Sequence, residues 1–299
     1  MAQIIAVTGI TGHSGTYFLQ ELIRNQYSGT VRCLVRKTSK TDLLDQSGLD
    51  IEKVYGDISD AETLKKLVKG ADVVLHIVNI HHSVSILKAC MEENVPRVIL
   101  VHTTGIYSRY KMASEEYKQI ENEIAALSRD KKTKYVILRP TMIFGDLCDH
   151  NINRFIKMVD RFPVMPEIDH GKGKIQPVNA RDLGKAYYQV CTTNDLSGND
   201  YILSGERALS LHELFDMIGE NLGKKIHHFS IPMVIGVYGA KFIKTISFGK
   251  IDYVERVLRM GEDRNFDHEK ADIDFGYLPE CFEIGLQREV EQYKSRKAK

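Results

Sequence analysis

The sequence predicts an α/β protein: a Rossmann-type doubly wound parallel sheet with helices on both faces, followed by a smaller C-terminal α/β lobe. Short apolar runs alternate with stretches of helical periodicity, which is the pattern of repeated βα units. The first run, Ile4-Ile5-Ala6-Val7, feeds a loop with glycines at 9, 12 and 15. The run Val73-Val74-Leu75 is apolar at every position rather than at alternate ones, as in a strand buried on both faces.

The composition is that of an ordinary globular chain. It has 299 residues, 43% hydrophobic and 27% charged, with a formal net charge of +1, enough for one large domain or two intimate ones. Near-neutral charge argues against nucleic acid or an anionic membrane as partner. A small molecule is the expected partner, with a homodimer open. Cys33, Cys90, Cys148, Cys191 and Cys281 lack metal or redox spacing, which predicts free thiols in a reducing, cytoplasmic setting. Met1-Ala2-Gln3 runs straight into the first strand, leaving no room for a signal peptide. The apolar stretch Ile231 to Ile246 is interrupted by Lys241 and Lys244 and is too short to span a bilayer. It is expected as a buried or substrate-covering helix. The basic tail Lys294 to Lys299 is expected to be solvated and frayed.

The first strand turns at Gly9, and a helix with Phe18, Leu19, Leu22 and Ile23 on one face continues from Thr16 to Gln26. A helix entered this way offers free N–H groups and the positive end of its dipole to a phosphate. Gly9 permits the sharp turn, Gly12 lets a pyrophosphate approach the backbone, and Gly15 lets the helix pack on its strand. With Thr11, His13 and Ser14 these residues are the expected dinucleotide cradle. The second strand, Val31 to Val35, ends at Arg36-Lys37. An acidic residue there suits the ribose 2′-hydroxyl of NAD. Arg36, backed by Lys37, suits the 2′-phosphate, so NADP is favoured with NAD possible. A third strand, Ile51 to Tyr55, precedes Asp60, which caps the helix from Ala61. His76 ends the apolar part of the fourth strand and reads as a satisfied buried histidine. His81 and His82 lack metal spacing, and no metal is expected.

Thr8-Gly9-x-x-Gly12-x-x-Gly15 resembles the extended and atypical branches of the short-chain dehydrogenase/reductase superfamily, the NAD-dependent epimerase/dehydratase-like proteins. Leu138-Arg139-Pro140-Thr141-Met142-Ile143-Phe144-Gly145, Gln176-Pro177-Val178-Asn179-Ala180-Arg181-Asp182-Leu183 and the closing Phe275-Gly276-Tyr277-Leu278-Pro279 resemble later landmarks of that family in the same order, covering nearly the whole chain. The resemblance implies that Asp57 and Ile58 hold the adenine, that Ile77 and Val78 pass beneath the cofactor, and that backbone from Pro140 through Thr141 to Met142 lies against the nicotinamide. It implies a catalytic Thr103, with Thr104 the alternative, at the end of the fifth strand. The family's Tyr-x-x-x-Lys is met literally by Tyr107 and Lys111. Spacing to Leu138-Arg139-Pro140 instead favours Lys118, which puts Ser114 in the tyrosine's slot and requires Tyr107 or Tyr110 to reach in.

The expected domains are residues 1–145 with 175–204 for the dinucleotide and 146–174 with 205–299 for the substrate. The expected function is an NAD(P)-dependent epimerase, dehydratase or reductase acting on a nucleotide sugar or related polar metabolite. The rival is a member that binds NADP(H) without catalysis, as a redox sensor or assembly factor.

Overall fold

A computed structural model of the chain describes residues 3–110, 112–129 and 132–298. The N-terminal part runs as β1 (Ile4–Thr8), α1 (His13–Arg24), β2 (Thr30–Val35), the short α2 (Asp42–Asp45), β3 (Asp50–Tyr55), α3 (Ala61–Val68), β4 (Val73–His76), α4 (Ser83–Glu92), β5 (Arg97–Val101), α5 (Ser114–Leu127) and β6 (Lys134–Pro140). After β7 (Met142–Phe144), α6 (Ile152–Arg161), β8 (Val164–Ile168), β9 (Lys174–Ile175) and β10 (Pro177–Asn179), α7 (Ala180–Thr192) and β11 (Asp200–Leu203) return to the main sheet. The chain closes with β12 (Leu209–Ser210), α8 (Leu211–Leu222), β13 (His227–Ile231), α9 (Met233–Ile246), α10 (Val254–Met260), α11 (Glu269–Phe275) and α12 (Phe282–Lys297).

Among the described residues, seven strands form one parallel sheet in the order β11-β6-β5-β4-β1-β2-β3. The strand order reverses between β1 and β4. Their carboxyl ends therefore diverge and leave a crevice, the place where such sheets hold ligands. Alternate side chains of each central strand feed different cores. Ile5, Val7, Val73 and Leu75 pack under α1 and α7, while Ala6, Val74, Val98 and Leu100 pack under α3, α4 and α5. Burial on both faces explains why these strands read as unbroken apolar runs. A third cluster joins Phe144, Ile156 of α6, Met165 of β8, Leu214 and Phe215 of α8, and Phe282 and Leu286 of α12.

Several expectations from the sequence need correction. Helix α1 begins at His13, not Thr16, with Gly12 as its N-cap, so the glycine loop is one tight turn closed by Gly12 N–H donating to the Gly9 carbonyl at 2.9 Å. The C-terminal basic tail is not frayed through Lys297: α12 continues to that residue, and the Lys297 ammonium lies 2.5 Å from Asp160. Helix α9 is not buried. Ala240 is its buried residue, while Val234, Ile235, Tyr238, Phe242 and Ile246 are each about three-fifths exposed. No helix among the described residues is long and apolar enough to cross a membrane. All five cysteines carry free thiols.

Candidate cofactor pocket and adjoining cleft

At the crevice, Gly9 takes φ +82°, a left-handed conformation that costs glycine little. Gly15 sits so close to the turn that a Cβ there would meet the Gly9 carbonyl oxygen at 2.1 Å. At Gly12 a Cβ would meet only that oxygen, at 3.1 Å, so the space beyond Gly12 belongs to a ligand rather than to protein. The first-turn N–H groups of α1 face this opening. They carry the partial positive charge of the helix end and form a ready site for a phosphate.

A pocket of about 360 Å³ lies here, lined by Thr8, Gly9, Thr11, Gly12, Leu34, Arg36, Ser39, Gly56, Asp57, Ile58 and Val78. It brings together seven of the fifteen residues that the sequence assigns to a dinucleotide: Gly9, Thr11, Gly12, Arg36, Asp57, Ile58 and Val78. Ser39, which with Lys37 and Lys40 backs Arg36 in the sequence, also lines it; its Oγ accepts from the Arg36 N–H at 3.1 Å and shapes the loop that carries the guanidinium. Lys37 is exposed and does not line the pocket. Asp57 keeps its carboxyl below the ordinary value, chiefly because Ser59 donates its hydroxyl to it, with the Ser59 N–H adding and Arg36 contributing less. Asp60 caps α3 through the Thr63 N–H at 3.1 Å.

Three further assigned residues, His13, Ser14 and Ile77, do not line this pocket. Ser14 is buried, with its hydroxyl 3.4 Å from that of Tyr187. His13 turns its ring toward the Gly145–Asp149 loop, and its buried Nε2 has no hydrogen-bond partner. Burial lowers its pKa, only partly opposed by Asp146 and Asp149. Ile77 packs on the core while Val78 faces the pocket. His76 is fully buried, 2.7 Å from Thr8 Oγ1 and 3.2 Å from the Asn79 carbonyl, and burial drives its pKa down to about 3.

A narrower cleft of about 160 Å³ lies where the sheet meets the C-terminal segments. It is lined by Thr103, Thr104, Gly105, Thr141, Met142, Asn151, Ile175, Gln176, Arg259, Arg264 and Phe266. Pro140 is buried, and its carbonyl accepts from Thr104 Oγ1 at 3.4 Å. Arg259 and Arg264 were not anticipated. Each has a buried Nε with no hydrogen-bond partner, and burial together with Arg259 lowers Arg264 to about 10. Two unsatisfied guanidinium donors in one cleft point to an anion. No motif could have announced them, because the residues come from α10 and the loop beyond it, far along the chain from Thr103.

Of the two tyrosine–lysine registers that the sequence allows, the structure has the helix start of the second. Lys111 lies outside the described residues. Helix α5 begins at Ser114, so Tyr107 is not on the helix that Tyr-x-x-x-Lys requires; it sits on a short 3-10 turn, Thr104–Tyr107, capped by Thr103 Oγ1 accepting from the Gly105 N–H at 3.0 Å. Lys118 is half exposed and its ammonium lies 2.6 Å from Glu115. Tyr107 is half exposed, stands beside Phe266 and under the Arg139 guanidinium, and its pKa is raised by burial, with Arg139 opposing. Arg139 itself is locked: it bridges Glu121 and Asp200 at 2.6–2.8 Å. Burial would raise Glu121, but hydrogen bonds from His102 and Arg139 pull it down to about 2.

A parallel sheet with a glycine turn, a helix N-terminus and a basic residue ending β2 define an NAD(P)-binding protein of the Rossmann type. The family model described as NAD(P)H-binding matches residues 9–156. Short-chain dehydrogenase/reductase family 42E member 1 of Mus musculus is 22% identical over 315 residues, covering 89% of this chain and 76% of that protein. UDP-glucose 4-epimerase of Vibrio cholerae is 21% identical over 295 residues, covering 86% of each. The structure of DesIV, a dTDP-glucose 4,6-dehydratase from Streptomyces venezuelae with NAD bound, superposes with a TM-score of 0.73 at 18% identity, covering 99% of this chain and 98% of that one. The family-model match and these relatives support the extended, epimerase/dehydratase-like branch of the short-chain dehydrogenase/reductase superfamily.

Proposed function

We propose that the chain binds NADP(H) in the 360 Å³ pocket and acts by hydride transfer on a nucleoside-diphosphate sugar or a related anionic metabolite held in the adjoining cleft. The observation that carries this reading is the pairing of the two sites: Arg36 at the ribose end of the pocket, and the unsatisfied Arg259 and Arg264 at the far end of the cleft. The glycine turn and the α1 N-terminus fit a pyrophosphate, Asp57 and Ile58 fit an adenine, and Arg36 fits a 2′-phosphate better than a bare ribose. A nicotinamide dinucleotide, when bound, supplies the hydride chemistry.

The chain's own residues position and exchange a proton. Thr103 orients a substrate oxygen from the cleft wall, and Tyr107 is the phenol on the adjacent rim, beside Arg264 and Phe266. Thr141 and Met142 shape the cleft floor. The substrate lobe is built from residues 146–174 and 205–299, and the rest forms the dinucleotide domain. The names of the relatives support a nucleotide-sugar substrate, since an epimerase and a dehydratase are both among them.

One observation favours a second reading, NADP(H) binding without turnover. The tyrosine and lysine are not assembled: Ser114 occupies the head of α5, Lys118 is engaged by Glu115, and Tyr107 is shifted upward rather than toward ionisation. Calorimetric titration with NADP and NAD, followed by nucleoside-diphosphate sugars in a nicotinamide-absorbance assay, separates the readings. Tighter NADP binding with turnover of one such sugar is the expected result. NADP binding without change in nicotinamide absorbance on any sugar or carbonyl substrate supports the second reading. Equal NAD and NADP affinity removes the role given to Arg36.

A further inference from the structure

Away from the dinucleotide pocket, three segments bring two histidines onto one buried carboxylate. Glu167 lies on β8, His228 on the parallel strand β13, and His212 in the first turn of α8. The Glu167 side chain is 1% exposed. Among the described residues no lysine or arginine pairs with it. Its two oxygens instead face two imidazole nitrogens: Oε2 lies 3.0 Å from His212 Nδ1, and Oε1 lies 2.5 Å from His228 Nδ1. The three donor atoms lie within 4.8 Å of one another. Asp216, one turn beyond His212 on α8, accepts from His228 Nε2 at 2.8 Å and stands 3.6 Å from His212 Nε2.

That last contact sets the chemistry. When His228 donates Nε2–H to Asp216, its Nδ1 carries a lone pair, and that lone pair faces a carboxylate oxygen at 2.5 Å. Two lone pairs cannot face each other at that distance without a proton or a metal ion between them. In the metal-free chain a proton on His228 alone fills that gap, with a neutral His212 donating its own Nδ1–H to Oε2, and a divalent ion takes the place of those protons. A divalent metal satisfies both nitrogens and the carboxylate with one ion.

We propose that Glu167, His212 and His228 form a zinc-type divalent metal site, with Asp216 fixing the ring orientation from outside the coordination sphere. Two imidazoles and a carboxylate are a known zinc donor set, and ligand distances of about 2.0–2.2 Å place tetrahedral donors about 3.3–3.6 Å apart, so the His212 contact opens by about 0.5 Å and the His228 contact by about 1 Å. The carboxylate–histidine–metal arrangement is the one that orients ligating imidazoles elsewhere. The ion fastens the β8–β13 pair to α8. Its remaining position faces an open cavity of about 600 Å³ that also carries Lys172 and Lys174, which leaves room for water or an anionic ligand. Sequence reading could not have found the site, because its ligands are separated by 45 and 61 residues and no two share a metal-binding spacing.

The test uses the full chain, stripped with a chelator and titrated with zinc chloride by calorimetry, with cobalt(II) as an optical probe. The expected result is a single zinc ion per chain, a cobalt spectrum of a four-coordinate nitrogen–oxygen site, and a rise in unfolding temperature on zinc addition. His212→Asn, at a half-exposed position that does not threaten the fold, abolishes binding, as does Glu167→Gln. Asp216→Asn weakens zinc by about 10–100-fold, the range for outer-shell partners. Circular dichroism verifies that each variant is folded. The proposal is overturned if the wild-type chain takes up no zinc, if His212→Asn binds it as tightly as wild type, or if Cys281→Ser removes it, since Glu206, Cys281 and Glu283 form the alternative grouping.

Discussion

The dinucleotide pocket and the cleft beside it differ in how they are assembled. The pocket is lined from Thr8 to Val78 by the ends of consecutive βα units, each delivering its residue within a few positions of a strand terminus. The cleft gathers Thr103, Thr141, Gln176, Arg259 and Arg264 from elements spread over more than half the chain. A site made at strand ends inherits its geometry from local turns and helix caps. A site made by packing separate segments depends on how those segments dock. The first kind tolerates a changed neighbour as long as the turn survives, whereas the second is sensitive to single side chains that meet only in the folded state.

The largest expected effects break the local site. Gly12→Val places a side chain where a pyrophosphate approaches, and should lower dinucleotide affinity by about two orders of magnitude, roughly the 1.5–3 kcal/mol of a lost charged hydrogen-bond set. Its Cβ touches only the Gly9 oxygen at 3.1 Å, so the fold should survive. Gly15→Ala should do the reverse, since its Cβ would sit 2.1 Å from the same oxygen; overpacking of this kind costs about 1–3 kcal/mol. Thermal unfolding with and without cofactor distinguishes the two. Cofactor stabilisation that persists in Gly12→Val would mean that the dinucleotide binds elsewhere.

Charge substitutions sharpen the comparison at either end. Arg36→Asp should cost NADP about 1.5–3 kcal/mol of affinity while changing NAD little. Arg264→Met should leave both dinucleotides alone and weaken a nucleoside-diphosphate ligand by a similar amount. Calorimetry on the two variants gives a crossed pattern if the sites are separate. Parallel losses would merge them into one site.

A separate effect, on stability rather than on binding, is expected with pH. Glu289, on α12, accepts from the Leu147 N–H at 3.1 Å, and burial first, then Asp149, raises it to about 9. Its folded value lies above the ordinary 4.5, so the native state keeps a proton that the unfolded chain has released. Stability from this group is therefore present below about pH 4.5 and declines as pH rises toward about 9, by up to about 1.4 kcal/mol per unit. Glu289→Gln should flatten that decline in unfolding temperature. An unchanged slope would show that the group is ionised in the native state.

The smallest effect concerns Lys118. Its ammonium forms an exposed pair with Glu115, which is worth about 0.3–0.5 kcal/mol. Lys118→Met should change stability by no more than that and leave dinucleotide affinity intact. A large fall in turnover of an identified substrate would instead bring Lys118 into the proton relay and favour the catalytic reading over the binding one.

Much of the sheet could be read before folding, because burial on both faces leaves a run of apolar residues that no other element shares. The helix start was misplaced by three residues because Gly12 serves as N-cap, a role that the glycine spacing alone does not distinguish from loop. Helix α9 reads as apolar and is expected to be buried or to cover a substrate; most of its large side chains face outward, which removes the buried alternative. Hydropathy records what a segment contains, and only packing decides what covers it. The tyrosine–lysine question was open in the sequence because two registers fitted the landmarks. The start of α5 at Ser114 removes Tyr107 from the helix and leaves Lys118 facing Glu115.

By itself, then, the order of residues determined the parallel sheet, the glycine turn after β1 and the basic residue that ends β2. Each follows from interactions within a strand, a turn or one helix cap, whose range is a few residues. Tertiary structure alone decided that Arg259 and Arg264 meet Thr103 across one cleft, that Arg139 is held between Glu121 and Asp200, and that Glu167, His212 and His228 share one centre. Those groups lie dozens of residues apart along the chain. Their proximity is set by which apolar faces pack together, and no local spacing records it.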